Sequence, residues 1–267
     1  MIQKDKIGII GCGWLGLPLA KLFLKNDFLV KGSTTSKEKI KNLKSHNIEP
    51  HLIEIKDTEI FGDVQSFLKD LDVLIINIPP KMKSTPNNKY LDKIKLLDNE
   101  IKAHTINKII FISSTSVYGS NQKIIDSNTE PIPNSAIGVE ILKSEKIIAK
   151  KNTCTIIRFG GLIGANRHPV YSLLKKDKVF NPDAPINLIH LEDCLQIIYS
   201  IIEKKAWGKT YLGVSPYHPK KREYYNNKCK SLGLKNINFV NKNSVKKEID
   251  DTKIQTELNH TFIHPEL

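Results

Sequence analysis

At 267 residues the chain can bury one substantial core with a small appended lobe, and no flexible linker divides it into independent domains. Its net charge of +13 raises the question of nucleic acid, but the 41 Lys and Arg are scattered among 28 acids without an aromatic-interleaved block, so the expectation is a solvated, lysine-biased surface. Apolar runs such as Val73-Leu74-Ile75-Ile76 are too short to span a bilayer and no signal-peptide layout opens the chain, so a soluble, cytoplasmic protein without a membrane or nucleic-acid partner is expected.

The first predicted strand, residues 6–10, runs into Gly11-Cys12-Gly13-Trp14-Leu15-Gly16, and a helical stretch follows from Leu17 to Lys25. Strand, G-x-G-x-x-G and helix in that order read as a dinucleotide cradle. The first Gly makes the tight turn, the second admits a pyrophosphate, and the third lets helix pack on strand, while amides at the helix start face the anion. Pro18 fits the first helical turn, where its missing N–H costs nothing. Gly11, Gly13, Trp14, Leu15 and Gly16 are therefore candidate cofactor contacts.

The second predicted strand, 28–32, decides which dinucleotide is held. An acid about 20 residues past the glycines usually takes the adenosine ribose hydroxyls. Here Ser33-Thr34-Thr35-Ser36-Lys37 follows the strand, and the first carboxylate, Glu38, lies inside a helix. Thr34, Thr35, Ser36 and Lys37, with Lys31, suit a 2′-phosphate, so NADP is favoured with NAD possible. A capped helix start explains the hydroxyls equally well and is itself an anion site.

Further strands are expected near 51–55, 72–77, 108–113 and 154–158, alternating with helices as in a doubly wound parallel sheet. The 72–77 and 108–113 runs lack alternation, as buried parallel strands do. Ligands in such sheets lie beyond the strands' carboxyl ends, which makes Asn77, Ile78, Pro79 and Ser113 further cofactor candidates. After Arg158 the pattern breaks at Gly160, Gly161, Gly164, Pro169, Pro182 and Pro185, and a helix resumes near 191–204. Residues 1–164 are read as the dinucleotide-binding domain and 165–267 as a substrate lobe, the 191–204 helix packing back on the former.

Of the 41 basic residues only Arg158, Arg167 and Arg222 are Arg, which points to positions where a planar fork on carboxylate or phosphate matters. Cys12, Cys154, Cys194 and Cys229 form no C-x-x-C and read as reduced, mostly buried thiols; no metal-ligand spacing is assigned.

The chain resembles the extended and atypical short-chain dehydrogenase/reductase superfamily, which includes NAD-dependent epimerases and dehydratases. Besides the cradle, the resemblance rests on Phe111-Ile-Ser-Ser-Thr-Ser-Val-Tyr-Gly119, Ile157-Arg-Phe-Gly-Gly-Leu-Ile-Gly164 and Asn187-Leu-Ile-His-Leu-Glu-Asp193. Arg167-His168-Pro169 and the segment His218 to Tyr225 are similar to the YeeZ-like branch. The resemblance implies an α/β fold of Rossmann type with a small C-terminal substrate-binding lobe. It also implies homodimer pairing through the helices flanking the fourth and fifth strands, and Ser114 as the hydroxyl that polarises substrate.

The superfamily's Y-x-x-x-K motif, in which Lys lowers the pKa of a proton-transferring Tyr, aligns here with Ile137 and Ile141; both groups are missing. Y-x-x-x-K is also spelled at Tyr171/Lys175, Tyr217/Lys221 and Tyr224/Lys228, none on the required helix. Tyr171 and His190 are carried as catalytic candidates beside Ser114, with Glu140 as a further base, and Arg167, His168 and Arg222 as substrate contacts. For His190 a helix start shared with Asp193, and for Tyr171 plain packing, are the alternative roles. Two readings stay open: an NAD(P)-dependent oxidoreductase or epimerase-like enzyme acting on a small anionic metabolite or nucleotide sugar, and a non-catalytic NADP-binding sensor or partner-binding protein.

Overall fold

The computed structural model describes residues 5–80, 90–150, 153–164, 166–241, 247–250 and 252–267. Its apolar runs become seven strands: β1 (Lys6–Ile10), β2 (Leu29–Thr34), β3 (Glu49–Leu52), β4 (Val73–Ile76), β5 (Lys108–Ser114), β6 (Cys154–Phe159) and β7 (Thr210–Gly213). They pair in parallel in the order β7-β6-β5-β4-β1-β2-β3. Because β2 and β3 lie to one side of β1 and β4 to the other, the order reverses between β1 and β4, and a crevice opens at their carboxyl ends.

Helices cover both faces. On one, α1 (Gly16–Lys25) and α7 (Leu191–Glu203) bring Leu19, Phe23, Ile197 and Ile201 against Ile7, Ile9, Val73 and Ile75. On the other, α3 (Val64–Leu68), α4 (Tyr90–Lys102) and α5 (Ala136–Ile148) bring Phe67, Ile94, Leu97 and Ile141 against Leu74, Ile76 and Phe111. Val73 and Ile75 thus face one layer, Leu74 and Ile76 the other, which is why β4 reads as an unbroken apolar run. The short α2 (Lys37–Ser45) follows β2, and α9 (Lys253–Leu258) adds Ile254 and Leu258 to the first layer. No helix of the described residues is long and apolar enough to cross a membrane.

A separate small core holds the segment after β6 together, with Ile163, Val170, Ile186, Leu188, Tyr224, Tyr225 and Cys229. Into it pack α6 (Val170–Leu173) and α8 (Lys221–Ser231). Beside it Gly161–Ile163 pairs in parallel with Leu188–His190.

Two strand expectations change. The run read as 51–55 pairs with β2 only over Glu49–Leu52; Glu54–Ile55 instead turns antiparallel onto Ile60–Phe61 through the Lys56–Glu59 turn. Strand β7 carries no long apolar run and ends in Gly213, so periodicity did not reveal it.

Candidate cofactor cleft and adjoining basic pocket

The glycine loop sits at the switch point and is gripped from both sides. Ser33 Oγ at the end of β2 accepts the Gly11 amide at 2.9 Å, and Asn77 Nδ2 just past β4 donates to the Gly11 carbonyl at 2.9 Å. Gly11 has φ +104, and a Cβ there would lie 2.4 Å from the Asn77 carbonyl; one on Gly16 would lie 2.3 Å from the Gly11 carbonyl. These two glycines are required by the fold. Gly13 differs: it is exposed, and a Cβ would meet nothing within 4 Å, so space opens above the loop where a pyrophosphate would approach. Helix α1 starts without a side-chain cap and without an acid in its first turn; the Leu17 and Leu19 amides go to the Gly13 and Leu15 carbonyls and Pro18 has none, so among the described residues the Trp14, Leu15 and Gly16 amides are the ones left for an anion. The residues fit a dinucleotide.

Several predicted contacts are redirected. Leu15 is buried in the core, so only its backbone can serve a cofactor, and Ile78 packs against the α4–α5 layer, leaving the exposed Pro79 beside it. Lys31 faces the protein, its ammonium donating to the Ser66 and Lys69 carbonyls at 2.7 and 3.0 Å, and is withdrawn from the 2′-phosphate set. Thr34 Oγ1 accepts the Ser36 amide at 3.2 Å, leaving Thr35, Ser36 and Lys37 around the open start of α2. The Ser36 hydroxyl donates to Glu38, which lowers that carboxyl's pKa.

At the end of β5 the two serines part. Ser113 Oγ donates to Glu145 Oε1 at 2.5 Å within the protein, so its side chain does not face the cleft as expected. Glu145 in turn takes the Arg158 fork, Nε at 3.0 Å and Nη2 at 2.7 Å, and Arg158 Nη1 reaches the Tyr118 hydroxyl at 2.7 Å. The scarce-Arg argument thus holds for Arg158 as an internal clamp, and Tyr118 is a buried packing residue. Ser114 Oγ accepts the Ser116 amide at 3.2 Å, which uses a lone pair and keeps its O–H as a donor. Ile141 is buried and Ile137 packs on the same core, so neither position offers a proton. Glu140 receives the Tyr90 amide at 2.8 Å, capping α4 rather than serving as a free base.

Sequence reading missed Lys247. Its ammonium donates to the Thr115 and Tyr118 carbonyls at 3.3 and 3.1 Å, directly behind the Ser114 turn, and burial lowers its pKa. No spacing signal could have found it, since it arrives from 129 residues away.

On the lobe side, Asn166, Arg167, His168, Tyr171, Ser172, Lys175 and Lys176 line an open cleft of about 460 Å³. Arg167 is exposed and bridges Gly164 through its backbone, and its guanidinium carbon lies 5.0 Å from the Trp14 ring centroid, joining the cleft to the glycine loop. His168 Nε2 meets the Tyr224 hydroxyl at 3.0 Å while Nδ1 accepts the Val170 amide; burial, with Lys228 adding to it, brings its pKa down to about 4. Tyr171 is half exposed at the cleft. Arg222 stands apart on α8, exposed and donating to Asn241 at 2.8 Å, so the structure does not bring it into the Arg167 cleft. His190 caps α7 through its Nδ1, which accepts the Glu192 amide at 3.3 Å; Asp193 instead binds the Ile263 and His264 amides. Among the described residues no hydrogen bond or ring contact joins Ser114 to Tyr171 or His190.

Residues 5–155 match the NAD binding domain of the UDP-glucose/GDP-mannose dehydrogenase family. Protein YeeZ of Escherichia coli (strain K12) is 31% identical over 268 residues, covering 98% of this chain and 97% of that protein. The chain belongs to the family of Protein YeeZ. The α/β sheet is a Rossmann-type NAD-binding fold. A second relative is the uncharacterized UDP-glucose epimerase YtcB of Bacillus subtilis (strain 168), 25% identical over 232 residues, covering 74% of this chain and 73% of that protein. The chain shares its fold with UDP-glucuronic acid 4-epimerase from Bacillus cereus, solved with NAD, at a TM-score of 0.77 and 21% identity, covering 97% of this chain and 94% of that chain.

Proposed function

We propose that the chain is an NAD(P)-dependent oxidoreductase or epimerase-like enzyme acting on a small anionic metabolite or nucleotide sugar. The observation that carries this reading is the basic cleft abutting the dinucleotide cradle through the Arg167–Trp14 contact. A nicotinamide bound there supplies hydride transfer. Gly13, the α1 amides and the Thr35-Ser36-Lys37 turn hold the dinucleotide, and Ser114 donates its O–H to the substrate oxygen. Arg167 and Lys175 in the 165–267 lobe receive the anion, His168 being neutral with both ring nitrogens engaged, and Tyr171 or His190 stands in for the missing Tyr as proton donor. NADP is the cofactor we infer, NAD being the alternative that the matched NAD binding domain favours.

Burial of Ile141 where the superfamily carries Lys favours a second reading, a dinucleotide-binding sensor without turnover. Calorimetric titration with NADPH and NADH, followed by a screen of nucleotide sugars and carboxylated or phosphorylated metabolites for cofactor oxidation or epimerisation, separates the two. Turnover abolished by Ser114→Ala supports the enzyme; tight binding with no turnover across the panel transfers the assignment to the sensor. Failure to bind either dinucleotide overturns both.

A further inference from the structure

Where the Leu188–His190 strand meets α7, the C-terminal segment returns and lays His264 against His190, ring centroids 3.7 Å apart and tilted by 48°. Glu192 Oε2 lies 2.7 Å from His264 Nε2 and 4.0 Å from His190 Nδ1. One donor atom from each of His190, Glu192 and His264 lies within 4.8 Å of the other two. From this geometry we propose a binding site for a borderline divalent transition-metal ion, Zn²⁺ or Co²⁺, formed by His190, Glu192 and His264.

The donor set selects the ion. Two imidazoles and one carboxylate suit zinc and its neighbours, whereas Mg²⁺ and Ca²⁺ want oxygen throughout. A tetrahedral ion with bonds of about 2.0–2.2 Å needs its donors within about 3.5 Å of one another, so a modest inward movement of these side chains closes the site. Glu192 and His264 are partly exposed, which gives the ion an entry path and permits that movement.

The surroundings hold the ligands as a metal site does. Asp193, fully buried, accepts the Ile263 amide at 2.6 Å and the His264 amide at 3.2 Å, fixing the backbone that carries His264. Its charge together with that of Glu192 balances a divalent cation beside the start of α7, where the helix dipole alone would disfavour one. Gly164 provides the room for the other imidazole: a Cβ there would come within 2.7 Å of His190 Nε2. The ion would enter where His264 and Glu192 now meet, releasing any proton they share, and would staple the C-terminal segment to the strand end and helix next to Gly164 and Arg167. With His190 and His264 separated by 74 positions in the chain, no sequence spacing announces the site.

The test uses the full chain, stripped with EDTA and dialysed, titrated with Zn²⁺ by calorimetry and with Co²⁺ by visible absorption. The expected result is one saturable equivalent, d–d bands of a low-coordinate N/O site, and a thermal midpoint raised by Zn²⁺ and restored by EDTA. His264→Gln should abolish these effects, and Glu192→Gln should weaken binding by at least about tenfold. Glu192 is exposed, so its variant reports even if His264→Gln misfolds; His104→Gln serves as a histidine control and should bind as the parent does. Absence of saturable binding, binding undiminished in the two ligand variants, or thiolate charge-transfer bands from Co²⁺ would overturn the proposal.

Discussion

Arg167 lies over the indole of Trp14, its guanidinium carbon 5.0 Å from the ring centroid, so a residue of the lobe rests on a residue of the glycine loop. Among the described residues the buried Trp14 N–H has no hydrogen-bond partner, which makes the ring a sensitive reporter of anything entering beside it. In a Trp207→Phe background the remaining emission belongs to Trp14. Dinucleotide addition is expected to change that emission, and Arg167→Ala to shift it before any ligand is added. An exposed cation–π contact is worth about 0.5–1 kcal/mol, so the variant should unfold in urea close to the parent while weakening anionic substrates more than dinucleotide.

Two glycines of one loop should fail in different assays. Gly11→Ala forces a side chain into a φ of +104 and against the Asn77 carbonyl, and should destabilise the fold by about 1–3 kcal/mol. Gly13→Ala meets only open space and should unfold like the parent yet lose dinucleotide affinity. Urea unfolding paired with calorimetry reads both; a Gly13→Ala chain that binds normally would remove the pyrophosphate from above that residue.

The Glu145–Arg158 pair is nearly sealed from water, with side-chain exposures of 2% and 9%. Removing one partner strands the other charge, so Glu145→Leu or Arg158→Met should each cost about 3–5 kcal/mol in urea unfolding. The double variant should cost less than the sum of the two, because no buried charge remains unpaired.

The sequence carried the cradle and six of the seven sheet strands within a few residues, since each is written in local pattern: glycine spacing and apolar runs. What it could not carry lies in long-range side-chain choice. Ser113 and Ser114 are adjacent and chemically identical, yet pleating turns one inward to Glu145 and leaves the other at the strand end. Lys31 read as an anion contact because its place in β2 was legible, whereas the Ser66 and Lys69 carbonyls that claim it belong to α3 and its C-terminal cap. Arg222 joins Arg167 in the sequence through the scarcity of Arg and the family resemblance of the two segments, and α8 carries it elsewhere.

His168 fixes the sign of one pH effect. Burial, reinforced by Lys228, puts its folded-state pKa at about 4, against about 6.5 in the unfolded chain. Between those values the unfolded state binds a proton that the folded state refuses, so this contribution to stability is complete above about pH 6.5 and is lost as pH falls toward 4. Thermal midpoints measured across that window should fall for the parent and fall less for His168→Gln. An NMR titration of the His168 ring that gave an ordinary midpoint would refute the assignment.

Strand β7 pairs with β6 from Thr210↔Ile156 to Gly213↔Phe159, closing a sheet whose first strand begins at Lys6. During synthesis, β6 therefore waits with an open, apolar edge until β7 at Thr210–Gly213, midway through the lobe, is translated. A ribosome stalled within the lobe would hold a nascent chain whose unpaired edge invites chaperones or another chain, and aggregation of truncated products should cease once the chain extends past Gly213.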